Sequence, residues 1–118
     1  MIPDHAIDPS VPPSGPGCVD CDALGGWWVH LRRCALCGHV GCCDSSPAKH
    51  ATAHYKETGH PVMRSYEPGD AWFWNYDTGE YLEDGPELAA PVSHPVDQPA
   101  PGPAGRVPAN WKELLGNP

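Results

Sequence analysis

The alternation of apolar and polar positions predicts several short strands in the central part of the chain. Residues 27–33 read W-W-V-H-L-R-R, with aromatic or β-branched side chains at alternate positions, which is typical of a strand. We expect residues 39–42 to form a short strand that returns antiparallel to it. Residues 61–66, 71–76 and 80–82 predict a three-stranded meander, because turn residues separate the three segments.

One helix is predicted between these two groups of strands. Ser46 is a suitable N-cap, and Pro47 suits the first helical position, where its missing N–H costs nothing. Residues 48–58 have a helical composition, and Gly59 is expected to end the helix. A small set of strands with one helix predicts the α+β class.

Proline and glycine divide the chain into a folded part and two tails. The sequence contains 16 prolines and 13 glycines, concentrated outside the central part. We expect residues 1–16 to be a disordered N-terminal tail, residues 17–86 to be the folded domain, and residues 87–118 to be a Pro-rich tail with a short helix at 110–115. Limited proteolysis is expected to leave a core near residues 17–86.

Cysteine and histidine spacing in the central part predicts a zinc-stabilised domain. All six cysteines lie between positions 18 and 43, in two C-x2-C pairs followed by further cysteines and an H-x3-H-x5-H run. This spacing is typical of tetrahedral zinc sites. Eight ligands close two sites, so the metals are expected to be structural. The candidate ligands are Cys18, Cys21, Cys34, Cys37, Cys42, His50, His54 and His60.

Alternatives to this interpretation remain open. A disulfide framework would explain the cysteines but not the seven histidines. His39 is a competing ligand, and Cys43 is left over as a free thiol with a possible redox role. A catalytic zinc needs an open coordination position, which eight ligands for two ions do not leave, so we do not expect an enzyme.

Charge and hydropathy narrow the choice of partners. The formal net charge is −8 with only seven lysines and arginines, so nucleic acid is not an expected partner. No apolar run reaches the roughly 18 residues of a membrane span. Reduced thiols and the lack of a targeting segment favour the cytoplasm. A monomer is expected.

The order of the cysteines, histidines and aromatic residues resembles the UBP-type zinc finger of ubiquitin-specific proteases and a histone deacetylase. The resemblance covers roughly residues 17–86. It implies a small twisted antiparallel sheet with a packed helix and two interleaved zinc ions. The implied ligand sets are Cys18, Cys21, Cys42 and His50 for one ion, and Cys34, Cys37, His54 and His60 for the other.

The same resemblance implies a peptide-binding slot. Family members that act as receptors bind the free C-terminal Gly-Gly of ubiquitin between aromatic side chains, which correspond here to Trp28, Trp72 and Trp74. An arginine after the third cysteine holds the terminal carboxylate in the family, whereas this chain has Asp44. We therefore expect a non-catalytic module for a peptide or protein C-terminal tail, with weak or no ubiquitin binding.

Two other functions stay open at this stage. The aromatic residues 72–76 are equally suited to core packing, in which case the domain is purely structural. A thiol redox or zinc-responsive role is the other alternative.

Overall fold

The structure is a computed structural model that describes residues 7–83, 85–98 and 100–114. A five-stranded antiparallel sheet with the order β2-β1-β3-β4-β5 forms its centre, which confirms the α+β class. The strands are β1 Leu31–Cys34, β2 Val40–Cys42, β3 Val62–Ser65, β4 Phe73–Asn75 and β5 Glu80–Leu82. The helices are α1 Val19–Leu24, α2 His50–Thr58 and α3 Trp111–Leu114.

The strand register separates two faces of the sheet, because directly paired residues point to the same side. We call one the tail face; its central row consists of Val40, Arg33, Arg64, Phe73 and Leu82. We call the other the helix face; its corresponding row consists of Cys34, Met63, Trp74 and Tyr81.

Helix α2 packs on the helix face over β1 and β2. The close approach depends on Gly41 in β2, where an added Cβ would lie 2.7 Å from the Ala51 nitrogen. Since α2 covers only this end of the sheet, the aromatic side chains of β4 and β5 on the same face stay partly or fully exposed.

The start of α2 differs from the prediction. The helix begins at His50 rather than near Pro47, after Lys49 at φ 52°. Ser46 is buried, and its Oγ accepts a hydrogen bond from Val29 N at 2.8 Å instead of capping the helix. The C-terminal prediction is confirmed, since Gly59 has φ 77° and ends the helix.

The first strand is shorter than predicted: it begins at Leu31, and Trp28 pairs elsewhere. Trp28 exchanges two backbone hydrogen bonds of 2.9 Å with Gly102, near the other end of the chain. Leu31 N, the first strand residue, donates to Glu67 Oε2 at 2.9 Å. The alternation therefore predicted the existence of β1 but not its start.

Residues expected to form disordered tails lie against the tail face in the structure. Arg33 is 1% exposed there and links a segment near residue 11 with a segment near residue 90. Its guanidinium donates to the carbonyls of Ala89 at 2.8 Å, Pro91 at 3.2 Å and Val11 at 2.6 Å. Pro-rich segments carry carbonyl acceptors without matching N–H donors, and an arginine supplies those donors.

Apolar side chains from the same segments complete the core. Leu88 is 4% exposed and packs with Ala35, Val62 and Phe73, and Ile7 packs against this cluster. The described residues around 7–11 and 88–91 thus form a third layer under the sheet. Residues 1–6 of the expected N-terminal tail lie outside the described residues.

The expected C-terminal helix is present as α3, and Leu115 lies outside the described residues. Trp111 contacts Trp27 edge-on at 6.4 Å between ring centroids. None of the helices in the described part of the chain is long and apolar enough to cross a membrane.

Candidate metal centres and aromatic groove

The first cluster, which we call site 1, consists of Cys18, Cys21, Cys42 and His50. Cys18 and Cys21 come from the N-terminal turn of α1, Cys42 from the edge strand β2, and His50 from the first position of α2. Nδ1 of His50 lies 3.3 Å from the Sγ atoms of Cys18 and Cys21 and 3.6 Å from that of Cys42.

These separations fit one tetrahedral zinc ion. Usual Zn–S and Zn–N bond lengths place two ligands of a tetrahedron about 3.6 Å apart for a sulfur–nitrogen pair and about 3.8 Å for a sulfur–sulfur pair. The Cys21 and Cys42 sulfurs are 3.9 Å apart. The donor set therefore matches the size of the ion.

Both neighbouring helices begin at a site 1 sulfur. Cys18 is the N-cap of α1 and its Sγ accepts a hydrogen bond from Cys21 N at 3.3 Å. Cys42 Sγ accepts one from His50 N at 3.1 Å, the first N–H of α2. Helix N-termini favour negative charge, so this arrangement suits thiolate ligands.

The three thiols of site 1 perturb one another strongly. Hydrogen bonds from Cys18 and Cys21 lower the pKa of Cys42, and hydrogen bonding to the sulfurs of Cys18 and Cys42 raises the pKa of Cys21. Three thiolates in one buried cluster need a positive charge among them, which a divalent ion supplies.

The second cluster, site 2, consists of Cys34, Cys37, His54 and His60. His54 Nε2 lies 3.3 Å from Cys37 Sγ, and His60 Nδ1 lies 3.6 Å from Cys34 Sγ. In both clusters the ligand atoms lie within 4.8 Å of one another. The two ligand sets interleave along the chain, because α2 supplies His50 to one and His54 to the other.

Burial affects the titration of site 2. It raises the pKa of Cys34 to about 11. It also lowers the pKa of His54 to about 4, together with the charges of His39 and His60. His54 is therefore neutral near pH 7, the form in which imidazole binds a metal.

An open groove of about 490 Å³ lies on the helix face beside α2. We call it the aromatic groove. Its lining includes Arg32, Asp44, Trp72, Trp74, Tyr76 and Tyr81. The alternation over residues 72–76 placed three of the four aromatic groove residues, Trp72, Trp74 and Tyr76, on one strand face. Tyr81 was missed as a groove residue, and the pairing of Trp74 with Tyr81 in the predicted hairpin was the available signal for it. Arg32 also lines the groove.

Trp28, the third tryptophan expected in the slot, lies elsewhere. It is 3% exposed and packs in a core cluster with Cys18, Leu31 and Tyr66. The structure thus brings Trp72 and Trp74 together but places Trp28 in the core. Strand alternation assigned Trp28 to the same side as Arg32. In the structure Trp28 lies outside β1 and its backbone pairs with Gly102, so the alternation does not extend to it.

The aromatic groove carries one cation and one anion. The Arg32 guanidinium lies 4.7 Å from the Trp72 ring centroid. Asp44 accepts a hydrogen bond from Thr52 Oγ1 at 2.6 Å, and Thr52 Oγ1 lies 3.2 Å from the Tyr76 hydroxyl. Burial raises the pKa of Tyr76, and the charge of Asp44 adds to this, so the hydroxyl stays protonated at neutral pH.

A small α+β domain in which one helix contributes histidines to two Cys/His clusters has the architecture of a zinc finger. The chain belongs to the family described as Zn-finger in ubiquitin-hydrolases and other protein, whose model matches residues 18–87. That model describes a Zn-finger and not a catalytic domain.

Relatives with this region are mostly much longer proteins. Ubiquitin carboxyl-terminal hydrolase 5 from Homo sapiens is 34% identical over 88 residues, which are 71% of this chain and 10% of that protein. Ubiquitin carboxyl-terminal hydrolase 14 from Arabidopsis thaliana is 33% identical over 106 residues, 80% of this chain and 13% of that protein. The chain thus spans about a tenth of the length of these relatives.

One similar solved structure has nearly the same length. The solution NMR structure of protein RPA1320 from Rhodopseudomonas palustris is 42% identical, with a TM-score of 0.64. The match covers 86% of this chain and 95% of that one. It therefore includes described residues outside the range of the family model.

Proposed function

We propose that this protein binds two zinc ions, one in site 1 and one in site 2, and that both are structural. Each ion would cross-link four side chains that are distant in sequence and so restrict the unfolded chain. The ligands are the eight residues of the two clusters. Support comes from the donor spacing, which fits a tetrahedral ion, and from the lack of an open coordination position in a four-ligand set.

We further propose that the domain is a non-catalytic module that binds a peptide or protein C-terminal tail in the aromatic groove. One observation carries this proposal: Trp72, Trp74, Tyr76 and Tyr81 are not packed into the core but line an open groove. Large aromatic walls bury a peptide backbone at low entropic cost. Trp28 is not included, because the core encloses it.

The charges of the aromatic groove favour a particular kind of peptide. Arg32 offers N–H groups to a carboxylate, while Asp44 stands where a carboxylate would be repelled. A tail that ends in a carboxylate and carries a basic residue nearby satisfies both charges. Ubiquitin, which the names of the relatives point to, is expected to bind weakly.

The experiment that tests the groove is a peptide-display selection followed by titration of the selected peptides. Trp74→Ala should weaken binding at least tenfold, since a stacked aromatic wall is lost. Trp27→Phe, which changes a tryptophan outside the groove, serves as the control. If no peptide binds, or if Trp74→Ala binds as tightly as the unmodified chain, the groove is not the site.

Compartment and oligomeric state belong to the same proposal. All six cysteines lie in the described part of the chain and are unpaired there, which supports a reducing compartment such as the cytoplasm. A monomer free of nucleic acid agrees with the formal net charge of −8. Of the alternatives, a thiol redox role has little support, because Cys43 is only 5% exposed and contacts Ser46.

A further inference from the structure

Two residues outside the ligand sets, Asp20 and His39, connect site 1 with site 2. Asp20 lies in α1 between the site 1 ligands Cys18 and Cys21. Its Oδ2 atom lies 2.9 Å from Nε2 of His39, which follows the second C-x2-C pair. This bond joins the segment that carries two site 1 ligands to the loop beside site 2.

The ring of His39 also lies flat against a site 2 ligand. Its centroid is 4.3 Å from that of His54, and the two ring planes differ by 3°. Tilting of the His54 ring plane would break this stacking. His39 therefore favours the orientation in which His54 Nε2 faces Cys37 Sγ at 3.3 Å.

Only one of the two ring nitrogens of His39 has a hydrogen-bond partner among the described residues. Its Nδ1 atom is buried and has no hydrogen-bond partner among the described residues. A buried polar atom without a partner costs free energy. The bond to Asp20 and the stacking on His54 offset that cost, and these are the two contacts that reach the two sites.

Helix α2 provides a second connection between the sites. His50 and His54 are one helical turn apart, so a metal ion that fixes one of them also fixes the backbone that carries the other. The helix alone leaves the His54 ring free to rotate. His39 removes this freedom.

We propose that Asp20 and His39 are positioning residues that couple the loading of the two metal sites, so that zinc in one site raises the affinity of the other. The inference rests on the zinc binding proposed above. Zinc in site 1 fixes α1 and Asp20, which holds His39 and thereby His54. Because coupling between two bound ligands is reciprocal, zinc in site 2 favours site 1 by the same factor.

The test is the distribution of metal species at one equivalent of Zn²⁺ per chain, measured by native mass spectrometry on the full chain. Coupled loading gives mainly metal-free and two-zinc chains. His39→Ala removes both contacts and should make a one-zinc species the main form. The affinity of site 2 should fall roughly 10- to 100-fold, as is usual when an outer partner of a metal ligand is removed.

Exposed His30, outside both clusters, provides the matched control, and His30→Ala should keep the distribution of the unmodified chain. If His39→Ala does not fold, Asp20→Ala provides a second variant. Asp20 is 45% exposed, so its substitution is expected to leave the fold intact. It should also produce one-metal chains. Co²⁺ used in place of Zn²⁺ identifies the filled site, since site 1 has three thiolates and site 2 has two.

His39→Phe separates the two contacts, because it keeps a stacked ring and loses the bond to Asp20. It should lose the coupling but retain more site 2 affinity than His39→Ala. Stepwise filling of the unmodified chain, or an unchanged distribution in His39→Ala, would overturn the coupling. Binding of no zinc by the unmodified chain would contradict the proposed function as well.

Discussion

Neighbouring residues in this chain have different surroundings, and the difference between Cys42 and Cys43 illustrates this at the scale of single residues. Cys42 belongs to site 1, and its sulfur accepts the first N–H of α2. Cys43 lines the aromatic groove and contacts Ser46 at 3.5 Å. Successive residues of an extended strand point to opposite sides, so only one of the pair reaches the metal cluster.

A pair of serine substitutions tests this assignment. Cys42→Ser removes one of four site 1 ligands, and we expect the purified protein to contain one zinc per chain or to be unfolded. Cys43→Ser should keep two. Metal analysis of both variants gives the answer, and loss of a zinc from Cys43→Ser with full retention in Cys42→Ser would reverse the ligand assignment.

If the proposed peptide binding holds, Asp44 is the residue that we expect to select the peptide ends that the aromatic groove accepts. Asp44→Arg exchanges a repulsive carboxylate for a guanidinium, and a charge-assisted hydrogen bond contributes roughly 1.5–3 kcal/mol. Affinity for Gly-Gly-ended peptides should therefore rise about tenfold to more than a hundredfold. Tryptophan fluorescence titration measures the change.

Asp97→Arg is the control for Asp44→Arg, since it makes the same change of charge at an exposed position outside the groove. Micromolar binding of ubiquitin by the unmodified chain, left unchanged by Asp44→Arg, would show that Asp44 does not face the peptide end.

At the scale of elements, the hydrophobic pattern predicted that each strand of the sheet exists, whereas the element ends depend on distant partners. The helix start near Pro47 was wrong because the cap of α2 is Cys42 Sγ, eight residues before His50 in the sequence. The start of β1 was missed because Trp28 pairs with Gly102. Local propensity contains no information about either contact.

The candidate sites differ in how much of them the sequence reveals. Cys-x2-Cys and His-x3-His place ligands on one turn or one helix face, so their grouping is local and predictable. Burial of Trp28 and the position of Arg32 in the groove depend on how strands and tails pack together. The ring nitrogen that each histidine presents, Nδ1 for His50 and Nε2 for His54, also follows from packing alone.

The contact between α2 and β2 tolerates no side chain at position 41. Gly41→Ala would place a Cβ within 3.0 Å of backbone atoms of His50 and Ala51. We expect the helix to move away from β2 and the free energy of unfolding to fall by about 1–3 kcal/mol. Thermal denaturation of the zinc-loaded protein measures the loss. Gly105→Ala, where nothing lies within 4 Å, should change little; equal stability of both variants would contradict the close packing.

At the scale of the whole molecule, described residues outside the range 17–86 contact the sheet. The tail face of the sheet carries Arg33, Val62 and Phe73, all nearly fully buried. Residues around 7–11 and 88–91 cover them. The proline content of these segments predicted disorder. Their contacts with the sheet are made by single apolar residues and by backbone carbonyls, and the overall composition does not reveal either.

A substitution at Leu88 tests how much this third layer contributes to the free energy of unfolding. Leu88→Ala should lower the free energy of unfolding by about 2–5 kcal/mol, as for other buried leucines. Leu114→Ala changes a leucine that is 57% exposed and should have an effect below about 0.5 kcal/mol. Chemical denaturation of both variants makes the comparison. If the two variants are equally stable, or if limited proteolysis readily removes residues 88–106, the tails do not belong to the folded unit.

The link that Arg33 makes between the tail segments at Val11 and at Ala89 also has a practical consequence. Both tail segments lie on the tail face, while the aromatic groove opens on the helix face. A label attached to either of these segments would therefore lie on the side away from the groove. Domains fixed to a solid support through a residue of either segment would present their grooves to the solution.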